Sequence, residues 1–168
     1  MHTSLSLVLS PTSAELQTCT PEGVASGTVL GRMAIGHATM EALFFKNGRI
    51  DAAQLERAIE WTEDRIQAAR IPVPEGAQLF TQDADVHALA KASGVTASSP
   101  LLHVDAVEQS FSRLVMQAMG QAAPQDALPA TARFFATVVF VRELMHHLHF
   151  PHIQLQQGPE KTSGAEPL

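Results

Sequence analysis

A chain of 168 residues with 45% hydrophobic and 17% charged side chains can bury one core and is too apolar to stay disordered. Its net charge of −6 arises between residues 51 and 108, and no basic patch or stripe is present to neutralise phosphates along a strand, so nucleic-acid binding is not expected. The lone Cys19 excludes an internal disulfide and thiolate metal clusters, and no apolar run reaches the roughly 18 to 20 residues that span a bilayer.

The start, MHTSLSLVLSPTSAEL, has no Lys or Arg before its apolar patch and makes a poor secretory signal, which leaves the cytoplasm as the expected location. Within it Leu5, Leu7 and Leu9 alternate with polar residues, and period two predicts a short N-terminal strand or extended arm. Residues 10–27, rich in Ser, Thr, Pro and Gly, read as an irregular segment. A first helix is expected from Gly27 or Thr28 to Lys46, stopped by Asn47-Gly48. Asp51 caps a second, with Gln54 completing a capping box, and Pro72 and Pro74 end it after Ala69. The short link between them predicts an antiparallel helical hairpin.

A short helix is expected over Asp83–Ser93, closed by Gly94. The next starts at Ser99-Pro100, or at Asp105 with Glu108, and reaches Met119-Gly120. AAPQDALPA is a linker. The last helix spans Ala130–Phe150 and stops at Pro151, and residues 156–168 form a polar, flexible tail. Abundant Ala and Leu, no tyrosine and one tryptophan favour helix over strand. The expected fold is therefore all-α, a compact bundle of four main helices and one short helix in a single domain over residues 1–155. The competing arrangement is an α+β fold in which residues 4–10 pair with a strand near Leu101-Leu102-His103-Val104.

The segment RELMHHLHFPH concentrates four histidines. In the last helix Phe134, Val138, Val141, Met145 and Leu148 form an apolar stripe, and Arg142, Glu143, His146, His147 and His149 lie opposite. Glu143-x-x-His146 has the spacing of carboxylate-bridged di-metal bundles, but a second Glu-x-x-His is absent. A wet helix end, where histidines meet free carbonyls and the negative end of the dipole, explains the cluster as well. His37 and Glu41 differ, because they sit within the apolar face made by Val29, Leu30, Met33, Met40 and Phe44. A carboxylate there needs a partner. His37 itself, Arg133 or Arg142 would serve. The functional alternative is a ligand or acid–base pair. The candidate set for a divalent transition metal is thus His37, Glu41, Glu143, His146 and His147.

His87, in VHALAKASG, resembles the phosphoacceptor motif of histidine phosphotransfer bundles, although Lys91 comes one residue late and an alanine stands where glycine would give the phosphoryl group room. No Gly-rich phosphate loop or Ser-His-Asp set is present. With no catalytic signature, the sequence points to a small acidic protein acting through a protein partner or a homodimer, as an accessory, adaptor or assembly factor. The alternative is a metal- or cofactor-binding bundle, a redox or oxygen-using enzyme.

Overall fold

The computed structural model describes residues 3–46, 49–121, 125 and 127–157. Strands β1 (Ser4–Leu9), β2 (Ala14–Cys19) and β3 (Ala25–Met33) form an antiparallel meander. Strand β4 (Gln78–Thr81) pairs parallel to β1, β6 (His152–Leu155) parallel to β4, and β5 (Leu101–His103) antiparallel to β6. The sheet order is β3-β2-β1-β4-β6-β5. Among the described residues there are five helices: α1 (His37–Phe44), α2 (Ala52–Ala69), α3 (Ala84–Ala92), α4 (Val104–Ala118) and α5 (Ala132–His147). The fold is mixed α/β, and the all-α bundle is wrong.

Four segments account for the difference, one of them β4, for which the sequence reading offers no element at all. Residues 14–19 carry a strand with Ala14 and Leu16 buried, inside what reads as loop because Thr and Pro surround it. Residues 25–33 mimic a helix through the spacing of Val29, Leu30 and Met33. Yet Gly27 sits at φ +91°, and Gly31 lies so close to Ile71 that a Cβ there would come within 2.5 Å of its Cγ1. Residues 152–155 follow Pro151 in a polar context, and only Ile153 is fully buried. The N-terminal strand exists, but it pairs with β2 and β4; the strand at Leu101–His103 pairs with β6 instead.

Other elements follow the sequence closely. The α2 capping box forms: Gln54 N donates to Asp51 Oδ1 at 2.8 Å, and Asp51 N donates to Gln54 Oε1 at 3.1 Å. Asp83 caps α3, which closes at Ser93. The expected stop at Asn47-Gly48 and the tail beyond residue 157 lie outside the described residues. Helix α5 contacts each of the other four, so it is buried almost all round. Its later half is only in part the wet face that the sequence suggests: His146 and His149 are exposed, but Glu143 is only 2% exposed. No helix among the described residues is long and apolar enough to cross a membrane.

The core unites the inward leucines of β1 and β2 (Leu5, Leu7, Leu16) with Phe135, Val138 and Val139 of α5. This arrangement gives the sheet two chemically different ends. At one end the parallel strands β1, β4 and β6 finish, next to the β1–β2 turn and the start of α3. At the other, β4 and β6 begin, beside the end of α5.

Candidate functional site

In open sheets of this kind, ligands favour the crevice outside the carboxyl ends of the parallel strands. Here the β1–β2 turn lies at that end, closed on itself. Ser10 N donates to the Ser13 carbonyl at 2.8 Å, and Ser13 N donates to Ser10 Oγ at 3.0 Å. The Pro11 carbonyl accepts from Ala38 N at 3.0 Å, which fastens the turn to the start of α1. Only glycine fits at 36, because a Cβ would lie 2.2 Å from that same carbonyl oxygen.

The start of α3 forms the opposite wall. Asp83 Oδ1 accepts from Asp85 N at 2.9 Å and from Val86 N at 3.2 Å. Asp83 N donates to Thr81 Oγ1, which in turn donates to the Leu7 carbonyl at 3.0 Å, so the helix start is locked to both parallel strands. Burial pushes the Asp83 carboxyl above its ordinary value, against the pull of its two backbone donors. Arg133 Nε, from the first turn of α5, donates to both oxygens of Asp85 at 2.8 and 3.0 Å. Between the walls lies a cavity of about 20 Å³ lined by Leu9, Ser10, Gly36, His37, Asp85 and Thr137, room for roughly one water. A shallower groove of about 270 Å³ continues past Ser6, Val8, Gln17 and Asp83.

Of the candidate metal ligands read from the sequence, only His37 lines this cavity. Its Nδ1 lies 3.1 Å from Glu41 Oε1, so the pair satisfies itself as the i, i+4 spacing predicts. Glu41 takes neither Arg133, held by Asp85, nor Arg142, held by Glu108 and Glu143.

The histidine-rich end of α5 splits. His146 Nε2 pairs with Glu108 Oε1 of α4, which also accepts from Arg142 Nε at 2.9 Å. His147 turns the other way, its Nε2 lying 3.4 Å from Glu63 Oε1 of α2 and 3.6 Å from Glu143 Oε2. Burial is the main force raising the Glu143 carboxyl above its ordinary value, while Arg142 opposes it. Glu143 and His147 thus meet, joined by Glu63, and His37 and Glu41 are not among the donor atoms gathered there. The sequence signal that picks out this pair is Glu143-x-x-x-His147 rather than Glu143-x-x-His146. Neither Glu63 nor Glu108 is among the candidates read from the sequence, where Glu108 figures only with Asp105 as a possible helix start.

His87 lies on α3 with its Nε2 buried and without a hydrogen-bond partner among the described residues, beside a groove of about 460 Å³ that Lys91 also lines. It belongs to a sheet-containing domain, and the resemblance to a phosphotransfer bundle fails with the bundle.

No known family's sequence pattern matches the chain, and no curated protein matches its sequence. Solved structures do match its fold. A Ppx/GppA enzyme of Aquifex aeolicus superposes with a TM-score of 0.65 at 14% identity, over 92% of this chain and 53% of that one. An exopolyphosphatase-like protein gives 0.64 at 14% identity, over 92% and 54%. An exopolyphosphatase of Cytophaga hutchinsonii gives 0.55 at 13% identity, over 93% and 53%. The likeness overturns both functional readings drawn from an all-α fold, the small helical adaptor and the metal- or cofactor-binding helical bundle. This chain has the fold of the Ppx/GppA enzymes and spans about half the length of the structures it matches.

Proposed function

We propose that the chain is a phosphate-binding lobe of the Ppx/GppA kind, taking a phosphate chain or ester at the carboxyl ends of β1 and β4 as part of a phosphatase. The observation that carries this reading is the fold match across 92% of the chain. The local chemistry is compatible. The N-terminus of α1 has no side-chain cap, and helix N-termini favour anions. Arg133 is half exposed and holds Asp85 through Nε, which leaves its terminal amines, unbonded among the described residues, to take a phosphate oxygen. The cavity of about 20 Å³ is too small to enclose a phosphate group, so the ligand lies over it. A second lobe, from another domain or a second copy, closes over the ligand. The lone free thiol of Cys19 supports a cytoplasmic place of action.

The test is titration calorimetry of the full chain with tripolyphosphate and long-chain polyphosphate in the presence of Mg²⁺, followed by phosphate-release assays. Binding is expected, weakened at least about tenfold in Arg133→Gln, which is roughly what losing one charge-assisted hydrogen bond costs. Binding without hydrolysis supports a lobe that needs its second half. No binding of either probe overturns the proposal.

A further inference from the structure

The opposite end of the sheet holds a second constellation, independent of the phosphate reading. Glu63 of α2 and Glu143 and His147 of α5 bring one ligand atom each to within 4.8 Å of one another. The two contacts made by His147 Nε2, at 3.4 and 3.6 Å, are too long for good N–H···O hydrogen bonds. They match another geometry. Zn–N and Zn–O bonds of about 2.0 to 2.2 Å in a tetrahedron place neighbouring ligand atoms roughly 3.4 Å apart. His147 stands at that spacing from both acids, so these groups from two helices fit one small cation better than His147 fits either acid as a hydrogen-bond partner.

The energetics agree. The Glu143 side chain is only 3% exposed. A buried carboxylate is costly unless compensated, and Glu63 brings a second one towards it. Arg142 Nη1 holds Glu143 at Oε1, and Arg142 is itself shared with Glu108. Glu143 Oε2 lies toward His147, beside Glu63, where a divalent ion would neutralise both acids.

We propose that Glu63, Glu143 and His147 bind one divalent transition-metal ion, with Zn²⁺ the best fit. One imidazole and two carboxylates suit such an ion, and three protein ligands leave the fourth position open. Of the three ligands His147 also lines a groove of about 640 Å³, together with Ile71, Pro74, Gln78, Phe150 and His152. The groove lies at the amino ends of β4 and β6, away from the β1–β2 turn, so the ion would serve a ligand or packing role of its own.

The experiment is Co²⁺ and Zn²⁺ titration of the untagged full chain, read by calorimetry and by the visible bands of four-coordinate cobalt. One ion per chain is expected. Glu63→Gln and His147→Ala should each weaken binding by at least about tenfold, the lower end of what losing even an outer-shell partner costs. Both side chains are part-exposed, so the metal-free melting of these variants should match the parent and separate lost ligation from lost folding. A His149→Ala/His152→Ala double variant should keep the ion and its cobalt spectrum. Absence of binding in the parent overturns the site, as does binding that survives Glu63→Gln and His147→Ala but is lost in the double variant.

Discussion

Asp83 serves two opposed demands. Its carboxylate caps α3 through two backbone N–H groups, which favours the ionised form. Its burial favours the neutral form and prevails, so the folded-state pKa lies above the ordinary value of 3.8. The linkage sign follows. Between the unfolded and the folded pKa the native state holds more proton, so this group's contribution is complete below the unfolded value and is lost as pH rises through the folded one. Asp83→Asn keeps an acceptor and removes the charge. Its stability relative to the parent should therefore increase as pH climbs from about 4 to neutrality. Asp83→Ala removes the cap and should cost about 1 kcal/mol at neutral pH. Urea titrations of the three proteins at several pH values measure both effects; a parent-minus-Asn difference flat with pH would refute the assignment. Such local chemistry was legible in the sequence wherever partners are neighbours on one helix, as for His37 with Glu41 and for Asp51 with Gln54. It was illegible where the partner comes from another helix, as for Glu63 and Glu108, because spacing along one helix does not say which helix faces it.

At the scale of elements, the clearest failure is the helix expected from Gly27 or Thr28 to Lys46, a stretch that folds as most of β3, a turn and the short α1. Apolar residues recur there at intervals that suit a helix. The three glycines at 27, 31 and 36 argue against it, since each costs a helix interior about 1 kcal/mol relative to alanine. They meet three separate needs of the backbone. Gly27 adopts positive φ, Gly31 admits Ile71, and Gly36 admits the Pro11 backbone. The last is the most demanding, because a displaced backbone carbonyl also loosens the bond to Ala38 N that holds α1 against the β1–β2 turn. Gly36→Ala should destabilise the protein by about 1 to 3 kcal/mol, the usual range for overpacking. The expected signature is a lower urea midpoint at unchanged slope. A midpoint equal to the parent's would show that α1 is free to move off the turn. By contrast α2 was readable almost to the residue, since its cap, its apolar face and its terminating prolines all agree.

For the whole molecule, what the sequence hid is pairing between distant strands. Strands β1 and β4 start 74 residues apart, and the bond from Thr81 Oγ1 to the Leu7 carbonyl spans the same separation. No local pattern encodes such a pairing, and an Ala- and Leu-rich composition pointed away from a sheet altogether. The most easily missed strand is also the one with most to hold. β6 lies between β4 and β5, with Ile153 opposite both Leu79 and Leu102 and fully buried. Just outside the ladder, Leu155 N donates to the Pro100 carbonyl, Gln156 N to the Thr81 carbonyl, and Val104 N to the Pro151 carbonyl. A chain ending at Phe150 would keep every helix and lose all of these. Each buried backbone group left unpaired costs about 1 to 3 kcal/mol, so a handful exhausts the roughly 5 to 15 kcal/mol typical of a domain. If residues 152–155 were only an irregular extension beyond the last helix, the shortened chain would unfold like the parent. If they are an interior strand, it should lose its cooperative urea transition and keep only residual helical ellipticity. A cooperative transition at the parent's midpoint would rule out the sheet order β4-β6-β5, and with it the groove that His147 and His152 share.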